Sequence, residues 1–261
     1  MERALSLWPS GWSRQQRSTA TIAAAAAALV AILLLISVPL SLLPEPIGPA
    51  AREFAAGTRV TVWLTLVSGL AGVAFGVVAA VCKLAPVAPL RWGAALYVWA
   101  IRGTPLLVQV LFVFLAMPLI VPWLQLSDFN SAALALSVNV GAYNAEAIRA
   151  GILAVPKGQT EAARSLGLSP LQTFRDVVFP QSFKIALPPL VNNVVALLKD
   201  SSLAYVIGVV ELSNVGSRVQ AATFQPVPVF ATTAAIYLLL TTVLTRISDA
   251  IEARLDIEQR R

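Results

Sequence analysis

The chain has 261 residues, of which 57% are apolar and only 12% are charged, whereas a soluble globular protein carries about a quarter charged residues. So little polar surface cannot face water on every side, and the sequence reads as an all-α membrane protein with lipid as its main solvent. There is no histidine and one cysteine, Cys82. This excludes Ser/His and Cys/His hydrolases, zinc sites of the HExxH kind, cysteine metal clusters and a disulfide framework. No catalytic residue, metal ligand or bound cofactor is expected on this chain.

A spanning helix needs about 20 apolar residues at 1.5 Å rise each. In chain order, a tail over 1–19 precedes an apolar run over 20–43, closed by Pro39, Pro44 and Pro46. Arg14 and Arg17 before that run, with small residues near Ala50, also fit a secretory signal peptide. The run exceeds the usual apolar region of about 7–15 residues, so a retained helix is expected. Further spans are expected over 60–82, over 106–126 after the Gly103-Thr104-Pro105 break, over 132–155, within 186–210 and over 229–247, with a tail over 250–261. That makes six transmembrane helices. Gly72 and Gly76, with Gly69 one turn earlier, allow a neighbouring helix to approach closely.

The basic residues decide the orientation. With the N-terminus in the cytoplasm, thirteen fall inside: Arg3, Arg14, Arg17, Lys83, Arg91, Lys157, Arg164, Arg175, Lys184, Arg246, Arg254, Arg260 and Arg261. Arg52, Arg59 and Arg218 fall outside, while Arg102, Arg149 and Lys199 lie in or beside spans. The net charge of +6 is therefore a topology signal, and nucleic acid is not needed to explain it. Both termini are expected in the cytoplasm.

The polar interval 155–184 reads as two short helices. Thr160 is the expected N-cap of the first, with Gly167 at its C′ position. In the second, Ser169 caps, Pro170 opens the helix and Gln172 completes a capping box, while Pro180 ends it. Leu168, Leu171, Phe174, Val177 and Val178 recur at helical spacing, so one face should be buried, either on the membrane surface or against a partner chain.

Within this interval, Glu161-Ala162-Ala163, then Gly167, then Val177-Val178-Phe179-Pro180 resembles the EAA loop of ABC-type import permeases, with Val177 for Ile and Phe179 for Leu. Further blocks are similar to the polar amino acid permeases of the histidine/glutamine type. They are Arg102-Gly103-Thr104-Pro105-Leu106-Leu107-Val108-Gln109, Gly141-Ala142-Tyr143-Asn144-Ala145-Glu146, Val155-Pro156-Lys157-Gly158-Gln159, Leu187-Pro188-Pro189 and Lys199-Asp200-Ser201-Ser202-Leu203. The similarity covers about 57–249. It implies a type I ABC importer permease fold: a five-helix core over 57–249 with the coupling loop at 156–184, and an additional N-terminal helix over 20–43.

The resemblance also implies partners. They are a second permease subunit (identical or paralogous), two ATP-binding subunits carrying ATP and magnesium, and an extracytoplasmic solute-binding protein, all at the bacterial inner membrane. Consistently, this chain has no G-x-x-x-x-G-K-[ST] phosphate loop of its own. Glu161, Ala162, Ala163, Gly167 and Pro180 would couple it to the ATPase. Ala162 and Ala163 permit close approach, Glu161 offers a charge, and Gly167 permits a sharp turn.

Substrate contacts should come from polar residues that lipid does not tolerate, which face the bundle or a water-filled cavity. Thr58, Thr61 and Thr65 could bind an α-carboxylate through their hydroxyls, or bond the carbonyls of the preceding turn. Arg102 and Thr104 flank a helix start that favours an anion. Asn139, Tyr143 and Glu146 share one helix face, with Glu146 and Arg149 expected to neutralise each other. Asp200 and Ser201 interrupt the fifth span; Asp200 suits an α-amino group or a cationic side chain, and Lys199 could be its structural partner. Relatives carry a carboxylate where this chain has Trp99, which offers a cation–π face instead. An alternative reading, an ion-coupled secondary transporter, rests on Asp200, Glu146 and Arg149; no two-fold internal repeat supports it. An intramembrane enzyme lacks its catalytic groups.

Overall fold

The computed structural model describes residues 8, 9 and 11–259. Arg3, Arg260 and Arg261 of the charge count lie outside the described residues, as does the Arg14 side chain. No strand occurs among the described residues. α1 (Arg14–Leu35) opens on a capping box in which Ser13 and Gln16 exchange backbone and side-chain hydrogen bonds. It is followed by α2 (Ser37–Ser41), α3 (Ile47–Leu84) and α4 (Ala88–Gly103). α5 (Leu106–Leu111) runs through a π turn at Phe112–Ala116 into α6 (Met117–Ile120), and α7 (Asp128–Leu153) follows. After α8 (Lys157–Ser165) and α9 (Pro170–Thr173), a second π turn (Phe174–Val178) leads into α10 (Phe179–Asp200) and a 3-10 turn, Ser201–Ile207. α11 (Leu212–Thr223) and α12 (Pro226–Gln259) complete the chain.

Four stretches are long and apolar enough to cross a membrane: Gln15–Leu35, Ile47–Leu84, Pro170–Ile207 and Pro226–Leu255. The pair Ala88–Gly103 and Leu106–Ile120, bent by 111°, makes a fifth when counted as one broken span. This corrects the expectation of one straight span over 106–126. The helix ends at Ile120, and its other half is α4, on the near side of the Thr104-Pro105 break. α7 is 26 residues long, about 39 Å at 1.5 Å per residue, yet it is less apolar than the four stretches above. The reason is its position. It packs against α3, α4 and α10 and buries Ser131, Ser137, Asn139 and Asn144, so protein rather than lipid surrounds it.

α3 and α7 run side by side in the same direction. Ser68 donates to Ala133 O; further along, a methyl group at Gly72 would collide with Val140, and one at Gly76 would lie 2.6 Å from Asn144 Cβ. In lipid, helix association rests on such close packing more than on hydrophobic exclusion. α10 returns antiparallel, with Asn193 Nδ2 donating to Asn144 Oδ1 (2.9 Å) and Leu197 reaching Gly69. α12 runs back again, where Ser248 meets Asn192 at 3.2 Å. The N-terminal helix α1 packs along α12, and Arg59 Nη1 of α3 donates to Leu33 O of α1 at 3.5 Å. One end of the bundle therefore carries Lys83, the end of α7 and α8. The opposite end carries α11 and the start of α3.

Two local expectations are corrected. α8 begins at Lys157 with Pro156 as N-cap, which places Thr160 inside the helix. Pro180 does not end the second helix, because the helical path continues from Pro170 to Ile207. Each π turn lies just before a proline, Pro118 or Pro180. A proline gives no N–H to the helical ladder, and the wider π turn absorbs the interrupted position.

Candidate functional site

The Thr104-Pro105 break is built from its own missing hydrogen bonds. In a continuous helix the Ile101 carbonyl would accept from the N–H of residue 105, but Pro105 has none. Gln109 Nε2 replaces it, donating to Ile101 O (2.7 Å), Thr104 O (3.1 Å) and Thr104 Oγ1 (2.9 Å). Thr104 Oγ1 in turn donates to Ala100 O at 2.9 Å. The other end of the same amide, Gln109 Oε1, accepts from Asn139 Nδ2 at 2.9 Å, tying the break to α7. Beside it, the Arg102 guanidinium lies 5.1 Å from the centre of the Tyr143 ring, a cation–π distance.

Asn139 and Tyr143 sit at the middle of α7, so the break lies half-way along the bundle. The structure thus brings four of the expected pathway residues together: Arg102, Thr104, Asn139 and Tyr143. Arg102 and Thr104 are exposed, and Tyr143 is 41% exposed, so the cluster opens on a surface. Among the described residues, Arg102 has an aromatic face and no carboxylate for company. Its N–H donors remain available to an anion.

Thr58 and Thr61 belong elsewhere. Both are fully buried. Thr58 Oγ1 donates to Phe54 O (2.7 Å) and Thr65 Oγ1 to Thr61 O (2.8 Å), the local bonding to a preceding carbonyl. Thr61 joins a polar hub centred on Glu211, a carboxylate with no exposed surface. Glu211 caps α11, accepting from the N–H groups of Ser213 (2.9 Å) and Asn214 (2.8 Å). It also accepts from Tyr237 Oη (2.8 Å) and Thr61 Oγ1 (3.3 Å). Thr61 Oγ1 accepts from the Leu212 N–H at 3.1 Å.

Asp200 is half-buried at the end of α10, and Ser201 is buried with its hydroxyl on Leu198 O at 2.8 Å. Among the described residues Asp200 and Lys199 make no direct ion pair, and the Lys199 charge acts on the Asp200 carboxyl without touching it. Glu146 does pair with Arg149 (2.8 Å) and also with Lys83 of α3. This locks α3 to α7 at the α8 end.

Just beyond α8, Gly167 holds φ +85°. Its N–H donates to Arg164 O (2.9 Å), and the Leu168 N–H to Ala163 O (3.2 Å). These are the two hydrogen bonds of a Schellman motif, which needs a left-handed residue. The Ser169–Gln172 capping box forms as the sequence indicates. Ala163 is buried, while Glu161, Ala162, Gly167 and Pro180 are exposed. Leu166 and Leu171 are 83% and 75% exposed. The expected burial of the Leu171 face is therefore not met within this chain, because α8 and α9 contact each other and the π turn but no span covers Leu171.

Sequence reasoning passed over Gln109, Glu211 and Tyr237. Gln109, an amide in an apolar stretch four residues after a proline, was within reach as the donor that replaces the missing N–H. Glu211 carries no comparable local mark, since Thr61 lies 150 positions away.

Membrane-length helices, one of them broken beside an open polar cluster, and an exposed polar helix at one end mark a membrane protein of several spans. The chain belongs to the family of binding-protein-dependent transport system inner membrane components, whose pattern matches residues 72–257. It is 38% identical over 221 residues to the L-cystine transport system permease protein TcyB of Bacillus subtilis (strain 168), covering 84% of this chain and 92% of that one. To the glutamine transport system permease protein GlnP of Escherichia coli (strain K12) it is 34% identical over 211 residues, covering 81% and 96%. A crystal structure of an amino acid ABC transporter with histidines superposes with a TM-score of 0.74 at 35% identity, over 79% of this chain and 95% of that one. An inward-facing MetNI methionine ABC transporter shares the fold, at a TM-score of 0.70 and 20% identity over 82% and 99%. The fold is that of the type I ABC importer permeases.

Proposed function

We propose that this chain is the membrane-spanning permease subunit of an ATP-driven amino acid importer. It would form the translocation pathway and take its energy from a separate ATPase through α8 and the segment that follows. The observation that carries this reading is the exposed, Schellman-turned helix Lys157–Ser165 on a chain with no phosphate loop. Glu161, Ala162, Ala163, Gly167 and Pro180 meet the ATPase, and Leu166 and Leu171 add apolar surface to that contact. The relatives named for cystine and glutamine transport support an amino acid as cargo.

The open cluster at the break is the substrate pathway. Arg102 receives the α-carboxylate, and the Tyr143 ring holds the guanidinium in place. Asn139, through Gln109, keeps the Thr104 hydroxyl and the start of α5 in register. Asp200, at the end of α10 just before the 3-10 turn that packs on α5, serves as a candidate for the α-amino group. The stripe Trp92, Leu96 and Trp99 on α4, each more than 60% exposed, supports a second permease subunit closing the pathway. The assembly comprises two permease subunits, two ATP-binding subunits holding ATP and magnesium, and a solute-binding protein. It sits in the inner membrane with six spans and both termini in the cytoplasm.

Co-expression with the nucleotide-binding chain and purification in detergent tests the coupling surface. Both chains should elute together. Glu161→Lys or Leu171→Asp should abolish co-elution while leaving membrane insertion intact. Undiminished co-elution of both variants would remove α8 from its coupling role. The ion-coupled alternative has no support from the family or from the arrangement of Glu146, whose two cations already neutralise it.

A further inference from the structure

Glu211 has no role in the pathway just described, yet it is the most completely enclosed carboxylate among the described residues. Four donors converge on it from three elements: two N–H groups of α11, the Tyr237 hydroxyl of α12 and the Thr61 hydroxyl of α3. Ser213 Oγ and Tyr237 Oη lie 3.1 Å apart, so Tyr237 can donate to Glu211 while accepting from Ser213. A carboxylate at the start of a helix also meets the positive end of its dipole.

The backbones of α11 and its two neighbours approach closely at glycines. A methyl group at Gly57 would lie 2.8 Å from Val215 Cγ2, and one at Gly216 would lie 2.6 Å from Thr233 Oγ1. α11 is thus wedged between α3 and α12 and pinned at its first turn by Glu211. α3 then runs unbroken for 38 residues to Lys83 and its pairing with Glu146 at the α8 end. Along the way it packs through Gly72 and Gly76 on α7, the helix that bears Asn139 and Tyr143.

We propose that Glu211 is a positioning residue for transport: with Thr61 and Tyr237 it makes α11, α3 and α12 one rigid body at the end opposite α8. A displacement started at α8 then reaches the far mouth of the pathway through α3. The proposal rests on the permease reading above. Without the hub, α3 would move while α11 stayed behind, and ATP would be spent without opening the outer mouth.

The test uses the complete assembly, this chain with its ATPase and its solute-binding protein, in lipid nanodiscs and proteoliposomes. Tyr237→Phe and Thr61→Val each remove one hydroxyl, Glu211→Gln removes one acceptor, and Thr61→Ser restores the hydroxyl. Tyr237→Phe should lower maximal ATP-driven uptake about tenfold, as loss of one hydrogen bond to a charged group does. KM for the loaded binding protein should stay unchanged, and ATP hydrolysis without binding protein should rise. Thr61→Val should do the same and Thr61→Ser should be normal. Adding Tyr237→Phe to Glu211→Gln should bring little further loss, as expected of residues in one network. A hub that is only structural would lower the melting temperature but leave uptake per folded assembly and basal hydrolysis at wild-type values; that result overturns the proposal. If the unmodified assembly shows no ATP-dependent uptake, the permease reading fails, and the transport role of the hub fails with it.

Discussion

The two polar clusters of this bundle have similar ingredients and opposite surroundings. At Glu211, every donor has its acceptor, and the carboxylate is sealed from outside. At the Thr104-Pro105 break, the backbone is repaired by Gln109 and Thr104, while Arg102 is left over a ring with its donors open. A saturated network specifies structure, since any change leaves a buried group unpartnered. An unsaturated one on an open surface has capacity to bind. The difference assigns Thr61, a residue that sequence alone placed with the pathway, to the first class, and Arg102 to the second.

That comparison breaks most easily under substitution at its two centres. Glu211→Ala strands two buried N–H groups and two hydroxyls, and should destabilise the folded chain by about 3–5 kcal/mol, the scale for removing one partner from a buried charged network. Thermal unfolding in detergent measures it. Arg102→Ala should leave the melting temperature within about 2 °C, the size of shift that an exposed substitution of under about 0.5 kcal/mol gives, while abolishing amino acid uptake. Similar melting losses at both sites would erase the distinction.

Next in size is Gly167→Val. A β-branched residue held at φ +85° costs about 1–2 kcal/mol locally. The α8 turn should therefore open, with ATP-driven uptake lost and insertion retained. Asn139→Ala should have a milder effect, about 1 kcal/mol for one hydrogen bond, and should raise KM for substrate by loosening Gln109 over the break. The smallest effect belongs to Thr58→Val. Its hydroxyl bonds the Phe54 carbonyl within its own helix and Val keeps its volume, so uptake should remain within about twofold of wild type, a change of about 0.4 kcal/mol. A large loss of uptake there would return Thr58 to the pathway.

What could be read from the sequence follows the range of the interactions. Caps and turns are local, so Ser169, Gln172 and Gly167 were legible in place. Lipid-facing helices show themselves by hydropathy, which is why α1, α3 and α12 were found, α3 and α12 shorter than they are and α1 displaced toward the C-terminus. Only the second half of the bent pair α4–α5 was read as a span, and read too long, because Gly103-Thr104-Pro105 marks a break without showing that α4 on its near side belongs to the same crossing. α8 was found from its motif, but its start was misplaced, since Thr160 resembles a cap and Pro156 supplies the actual boundary. The hub was out of reach. Its members, Thr61, Glu211 and Tyr237, are adjacent only after three helices have packed.

The measurement that bears most directly on the central claim is amino acid uptake into proteoliposomes under two energy sources. With the ATPase and solute-binding protein present, uptake should require ATP and should vanish when either partner is omitted. Uptake by this chain alone, driven by a proton or sodium gradient without ATP, would contradict the account.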